Sequence, residues 1–289
     1  MALIVDPLVS VYLPTHNRSE LLARALNSLL AQTYKNIEIL VCSDGSTDNT
    51  NQLMEEYCQR HQNIRFIQND TPQGACVARN RCIELAKGDY ITGLDDDDIF
   101  HPRRIELLLK YFDEKYSFIC SQGLEKDLAV EKVDFEMTNL KEESEQIIDL
   151  TLLLNENIIG NQILTRTERI KGISGFDENM PAWQDYDTWV RLVEKYGPGK
   201  KIFKQLYYCD IDHRRPRISI SSNRFLGCHR FYTKHEHLLT SSQKKNAKIR
   251  QSIIGGEYLT AFQLLKLFNF NQMKFWLKAW SLKLGLEKR

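Results

Sequence analysis

The first hundred residues alternate four times between short β-rich apolar runs and segments with helical spacing. That alternation restricts the fold more than any single motif. Residues 8–13, LVSVYL, read as a buried strand. PTHNRSE then turns the chain, and Ser19 is placed to cap a helix over residues 20–32, where Leu22, Ala25, Leu26, Leu29 and Leu30 fall at helical spacing. A second strand, IEILVC at 37–42, leads into the turn-rich DGSTDNT, with Thr47 or Asp48 as the cap of a helix over 49–62. IRFIQ is a third strand, and a helix follows Gly74 as far as Lys87 and Gly88. DYITGL is a fourth strand that runs straight into Asp95, Asp96, Asp97 and Asp98. Repeated strand–helix units predict an open α/β sheet, mixed but mostly parallel and flanked by helices. Such sheets bind ligands beyond the carboxyl ends of their strands.

Beyond this region the pattern is looser. Residues 125–150 are polar and acidic and read as a variable excursion; 151–199 begin helically, pass a GFDE turn and continue in a helix over 185–196. The last ninety residues read as mostly helical. Charge is segregated: residues 1–199 carry 20 basic and 33 acidic side chains, whereas 200–289 carry 19 basic and 5 acidic. A basic C-terminal third suits phosphates, anionic lipid or nucleic acid, or is a solvated face balancing the acidic body. No run of about 18 apolar residues occurs, so no spanning helix is expected. The N-terminus lacks the basic and cleavage-site pattern of a signal peptide. Seven cysteines without a CxxC pair fit a reduced, cytoplasmic protein better than a disulfide framework or zinc site.

The four aspartates carry the strongest chemical signal. Adjacent carboxylates at a strand end repel one another, and a hard cation such as Mg²⁺ or Mn²⁺ would relieve that. The alternative is a solvated acidic loop or a helix start favoured by the dipole. The spacing and glycine of an EF-hand are absent, which disfavours calcium. Asp44 closes the second strand, where a carboxylate can accept from a uracil imide or ribose hydroxyls, or simply form a turn with Gly45. Pro14, Thr15, His16 and Asn17 end the first strand and offer polar groups to the same place. Gly74 permits close approach of a ligand; Arg79 suits either a diphosphate or a salt bridge at the core edge. In WQDYDTWVRL, Asp185, Trp189 and Leu192 share one helix face. A carboxylate beside aromatics can have a raised pKa and serve as a general base, or it can merely start the helix.

Together, VSVYLPTHNRSELLARALNSLLAQTY, IEILVCSDGSTDNT, GACVARNRCIELAKGDYITGLDDDDIFHP and GFDENMPAWQDYDTWVRL resemble the family-2 glycosyltransferases, which have the Rossmann-like GT-A fold. The resemblance covers residues 8–195. It implies a catalytic domain over 1–220, with a nucleotide-binding half at 1–100 and an acceptor-side half at 101–220, followed by a basic helical C-terminal extension at 221–289. By the same resemblance Pro14, Thr15, His16, Asn17 and Asp44 hold the nucleoside, Gly74, Arg79 and Asn80 line the donor side with Asp95 and Asp96, and Asp95 and Asp97 form a metal-binding DxD pair with Asp98 close by. Asp185 is then the catalytic base. Ser43 and Gln184 stand where the family often has acidic residues. In DIDHRRPRISIS, His213 is a further candidate for the metal or diphosphate, and Arg214, Arg215 and Arg217 for closing over phosphates.

The implied reaction is an inverting, single-displacement hexosyl transfer from a UDP-sugar, with Mn²⁺ or Mg²⁺ as cofactor. Residues 257–289 mix Phe, Trp and Leu with Lys at near-helical spacing, which suits either packing on the domain or contact with an anionic membrane. In the membrane case the acceptor would be a glycan or lipid-diphosphate-linked sugar of surface-polysaccharide assembly, met at the inner face of the cell membrane. A nucleotidyltransferase would instead place a Gly-rich phosphate loop where PTHNRSE stands. A basic nucleic-acid or lipid-surface binding module would leave the aspartate run and Asp185 without a role, and no nucleic-acid partner is expected.

Overall fold

The computed structural model describes residues 6–131, 133–135, 138, 140–160, 162–211 and 223–255. His213, Arg214, Arg215, Arg217 and the segment 257–289 lie outside the described residues. In chain order the elements are β1 (Val9–Thr15), α1 (Ser19–Leu30), β2 (Ile37–Asp44), α2 (Thr50–Arg60), β3 (Ile64–Asn69), α3 (Ala75–Leu85), β4 (Tyr90–Gly93), β5 (Ile99–Phe100), α4 (Arg104–Tyr111), β6 (Ile119–Lys126), β7 (Glu145–Ile148), α5 (Leu150–Asn155), β8 (Leu164–Arg166), α6 (Thr167–Gly172), α7 (Gln184–Tyr196), β9 (Gly199–Asp210), α8 (Asn223–Lys234) and α9 (Ser241–Ile254).

The strands form one mixed sheet in the order β3-β2-β1-β4-β8-β6-β9-β5, with β7 on β9. The half β3-β2-β1-β4 is wholly parallel. Every residue of β1 and β2 is buried, as expected of strands covered on both faces. Helix α1 buries Leu22, Ala25, Leu26 and Leu29, the stripe its periodicity predicts. These side chains join Val9, Val11, Leu13, Ile39, Val41 and Leu94 in the core. The chain runs outward from β1 through β2 to β3, then returns through α3 to β4 on the other flank of β1. The strand order therefore reverses at β1, and the crevice beyond its carboxyl end is the place where such sheets bind ligands.

Several local expectations are corrected. Ser19 is the first residue of α1 rather than its cap; Arg18 holds the cap position without a side-chain cap bond, and the Ser19 N–H donates to Asp48 Oδ2 at 3.2 Å. Asp48 also accepts from the Thr50 N–H at 3.0 Å, so it serves the start of α2 although Asn49 precedes that helix. The excursion at 125–150 contains β7. The last ninety residues open with β9, a twelve-residue strand rather than a helix. Its alternation is masked by lysines: Lys200 and Lys204 sit on the buried face beside Ile202 and Leu206. Lys204 Nζ reaches the carbonyls of Leu140 and Glu142 at 2.6 and 2.8 Å, and Lys200 Nζ reaches Glu145 at 3.2 Å. A buried ammonium is tolerated when it is so partnered.

The chain divides into two compact units: one of Met1–Leu153, Asn157–Glu178 and Asp185–Arg215, the other of Leu154–Glu156, Asn179–Gln184 and Pro216–Arg289. The second contains α8, a 3-10 turn at Glu236–Leu238, and α9, whose start is fixed by a capping box between Thr240 and Gln243. Its apolar centre includes Cys228, Phe231, Tyr232, Ala247 and Ile249. Trp183, at φ 64°, sets its ring edge-on to Phe231 and Tyr232, with centroids 5.5 and 6.0 Å away. Among the described residues no helix is long and apolar enough to cross a membrane.

Candidate active site

Strand β1 is flanked by β2 and β4, so the polar residues ending these three strands converge. Asp44, ending β2, is nearly enclosed. Its Oδ1 accepts from Asn69 Nδ2 at 2.6 Å and the Gln73 N–H at 2.9 Å, and its Oδ2 accepts from the Gly74 N–H at 2.7 Å. Gly74 takes φ 100°, a conformation open to glycine, and a Cβ there would meet nothing within 4 Å. His16 Nδ1 lies 2.7 Å from the Asp44 carbonyl oxygen. The Asn17 side-chain oxygen accepts from the Thr47 N–H at 2.7 Å, joining the β1 and β2 loops. Pro14 is buried within β1, where it pairs with Cys42.

The four aspartates face four different environments. Asp95 Oδ1 accepts from Arg79 at 2.9 Å and from Gln162 Nε2 at 3.4 Å. Asp96 is buried, accepting from Thr15 Oγ1 at 2.8 Å and Arg18 at 2.9 Å; burial pushes its carboxyl up to about 6 against the pull of Arg18. Asp97 accepts from Arg18 at 3.0 Å, and its side chain is 32% exposed. Burial and then the Asp95 charge raise its pKa. Asp98 is buried against β9, accepting from Tyr207 Oη at 2.7 Å and the Asp210 N–H at 2.8 Å. Arg24 completes the group by donating to the Asp97 carbonyl and, at 2.6 Å, to Asp210. Arg18, Arg24 and Arg79 thus offset the mutual repulsion within the run.

Asp185, in the first turn of α7, lies across Arg79 from Asp95. Its Oδ1 is 3.9 Å from Arg79 Nη1 and is buried without a hydrogen-bond partner. Burial pushes its pKa up to about 6, opposed by the Arg79 charge and assisted by Asp95. Arg79 is itself buried and lies 5.1 Å from the Phe176 ring centroid. Asn80, by contrast, uses its amide on the GFDE turn: Nδ2 donates to the Phe176 carbonyl at 2.8 Å, and Oδ1 accepts from the Phe176 N–H at 2.8 Å.

The donor set of Asp95 and Asp97 fits a hard divalent ion, because the Asp95 charge helps to raise the neighbouring Asp97 carboxyl and a shared cation would relieve that repulsion. No group of three His, Cys, Asp or Glu side chains able to hold a metal ion is present among the described residues. Arg18, Arg24, Gln162, Tyr207 and Asp210 escaped sequence reasoning. Arg18 was adjacent to a motif and could have been singled out; the others reach the aspartates only through the order of the sheet.

Residues 10–151 match the family model described as Glycosyl transferase family 2. The putative colanic acid biosynthesis glycosyl transferase WcaA of Escherichia coli strain K12 is 32% identical over 273 residues, covering 93% of this chain and 96% of that protein. A chondroitin synthase of Escherichia coli is 32% identical over 202 residues, which are 70% of this chain and 28% of the synthase. Among solved structures, residues 1–349 of S. aureus TarS in complex with UDP-GlcNAc match with a TM-score of 0.65 and 18% identity, covering 94% of this chain and 79% of that one. The mannosyltransferase PcManGT from Pyrobaculum calidifontis, in complex with GDP-Man and Mn²⁺, matches with a TM-score of 0.64 and 16% identity over 99% of this chain and 82% of that one. These likenesses establish the GT-A architecture, a mixed sheet flanked by helices.

Proposed function

The chain belongs to glycosyl transferase family 2, and from that premise we propose that this glycosyltransferase moves a hexose, with inversion, from a UDP-sugar to an acceptor hydroxyl. The observation that carries the reading is Asp185 Oδ1, a buried carboxylate oxygen with no hydrogen-bond partner, beside the aspartates at the end of β4. A buried acceptor atom left unsatisfied costs free energy, and because the Asp185 side chain as a whole is 23% exposed, an incoming hydroxyl could approach the carboxylate and satisfy it. Asp185 would take the proton of that hydroxyl as its oxygen bonds to the anomeric carbon. The bond from that carbon to the diphosphate oxygen breaks, and UDP leaves.

Asp44 and the residues Pro14, Thr15, His16 and Asn17 would frame the nucleoside, with Gly74 admitting it closely. Asp95 and Asp97 would hold Mn²⁺ or Mg²⁺, with water and phosphate oxygens completing the shell. Such an ion supplies positive charge against the leaving diphosphate. Asp98, engaged by Tyr207 and Asp210, would fix the loop that presents them.

The relative named for colanic acid biosynthesis supports a polysaccharide intermediate as the acceptor. Charge and exposure on the second unit support a lipid-linked form of it. Residues 223–255 carry seven Lys and Arg and one Glu. Helix α8 exposes Phe225 and Leu226 beside Arg224. Such a face suits an anionic bilayer.

The test is UDP release from a panel of UDP-sugars with and without Mn²⁺, paired with calorimetric titration of UDP. Metal-dependent release from one sugar is expected. Absence of both release and UDP binding, with turnover of a GDP- or dTDP-sugar instead, would refute the uridine donor.

A further inference from the structure

We propose that Gln162 and Tyr12 form a positioning clamp that fixes the carboxylate of Asp95; the proposal rests on the reading of Asp95 as a ligand for the donor's divalent ion. Gln162 lies just before β8, the antiparallel neighbour of β4, and is 3% exposed. Its Oε1 accepts from the buried Tyr12 hydroxyl at 2.7 Å, and its Nε2 donates to Asp95 Oδ1 at 3.4 Å. The carboxylate settles the sense of the amide, because it can only accept whereas the phenol can donate or accept. A hydroxyl donating to Oε1 leaves the NH₂ to face the carboxylate, whereas a reversed amide would set oxygen against oxygen.

The rest of the packing preserves this arrangement. The Gln162 carbonyl accepts from Arg104 at 3.3 Å; Arg104 is fully buried, donates to Ser121 Oγ at 2.6 Å and lies 4.6 Å from the Phe100 ring centroid and 5.1 Å from that of Tyr207. Gly93, the last residue of β4, leaves the space the clamp occupies: a Cβ there would overlap both the Tyr12 ring and Gln162 Oε1. With Arg79 on the same oxygen, Asp95 Oδ1 is anchored twice, while Oδ2 has no hydrogen-bond partner among the described residues. The clamp thereby selects which oxygen of Asp95 is offered to a ligand.

The test titrates UDP with Mn²⁺ into wild type, Gln162→Leu, Tyr12→Phe and Asp95→Asn by calorimetry, and measures the Mn²⁺ concentration giving half-maximal transfer. Gln162→Leu and Tyr12→Phe are expected to weaken Mn²⁺-dependent UDP binding on the order of tenfold, as loss of one charge-assisted contact would. They should raise the Mn²⁺ requirement in step and leave KM for the acceptor within about twofold, a split that general destabilisation would not produce. Gly93→Ala should act in the same direction. If Asp95→Asn weakens binding while Gln162→Leu and Tyr12→Phe match wild type, the clamp is overturned. If Asp95→Asn itself leaves Mn²⁺-dependent binding unchanged, the reading of Asp95 fails instead. Should Gln162→Leu not fold, Tyr12→Phe, which keeps the ring, decides the matter.

Discussion

A single carboxyl, that of Asp185, sets the expected response to pH. A general base must be ionised to accept a proton, and burial pushes this carboxyl from the usual carboxylate range up to about 6. The base is therefore protonated and silent below that pH, and kcat should rise through a limb near 6 and level off above 7. Asp185→Asn should lower kcat by about 10²–10⁴-fold, with UDP affinity unchanged by calorimetry. A variant keeping both the rate and the acidic limb would remove Asp185 from the chemistry. Much of this residue-scale picture was legible in the sequence, because Asp44, the aspartate run and Asp185 each stand at an element end that local pattern can locate. The partners were not. Asp95 and Gln162 are 67 residues apart, Asp98 and Tyr207 are 109 apart, and Arg24 and Asp210 are 186 apart. Only the strand order brings them together, and a single sequence without repeats carries no trace of that order. The pairings of the arginines were hidden for the same reason: Arg18 reaches Asp96 and Asp97, and Arg79 reaches Asp95, so protein cations offset part of the repulsion within the run.

At the scale of elements, the parallel half of the sheet was legible because β1 and β2 are apolar throughout and bounded by turn residues. Strand β9 was hidden because two of its inward positions are lysines, held by carbonyls and glutamates that sequence distance conceals. Helix α8 supplies the prediction at this scale. With vesicles of phosphatidylcholine and phosphatidylglycerol, the full chain should cosediment, and Phe225→Ser with Leu226→Ser should reduce the bound fraction on the order of tenfold at fixed lipid. Equal binding to vesicles of phosphatidylcholine alone, or no loss in the double variant, would exclude α8 as the membrane face. Soluble UDP-sugar hydrolysis should be unaffected, since the substitutions leave β1, β2 and β4 untouched.

Across the whole molecule, the acidic run is held by protein groups drawn from α1, α3 and β9 and from the loop before β8. A structural metal folds its domain, and chelation then unfolds it. Here EDTA should shift the melting temperature by less than about 2 °C, whereas saturating UDP with Mn²⁺ should raise it by several degrees through binding to the native state alone. A collapse of the melting transition in EDTA would show instead that the cation is part of the fold. The arginine framework also has a consequence for descent. Arg24 and Asp210 meet at 2.6 Å, with the arginine side chain 26% and the aspartate 1% exposed, so losing the arginine removes a cation from beside a buried carboxylate, whereas losing the aspartate leaves an arginine that water can reach. Arg18 and Arg79 are shared more widely, the first between Asp96 and Asp97 and the second between Asp95 and Asp185. In a drifting lineage the order of change at the first pair therefore matters: replacing Asp210 before Arg24 passes through the less costly intermediate.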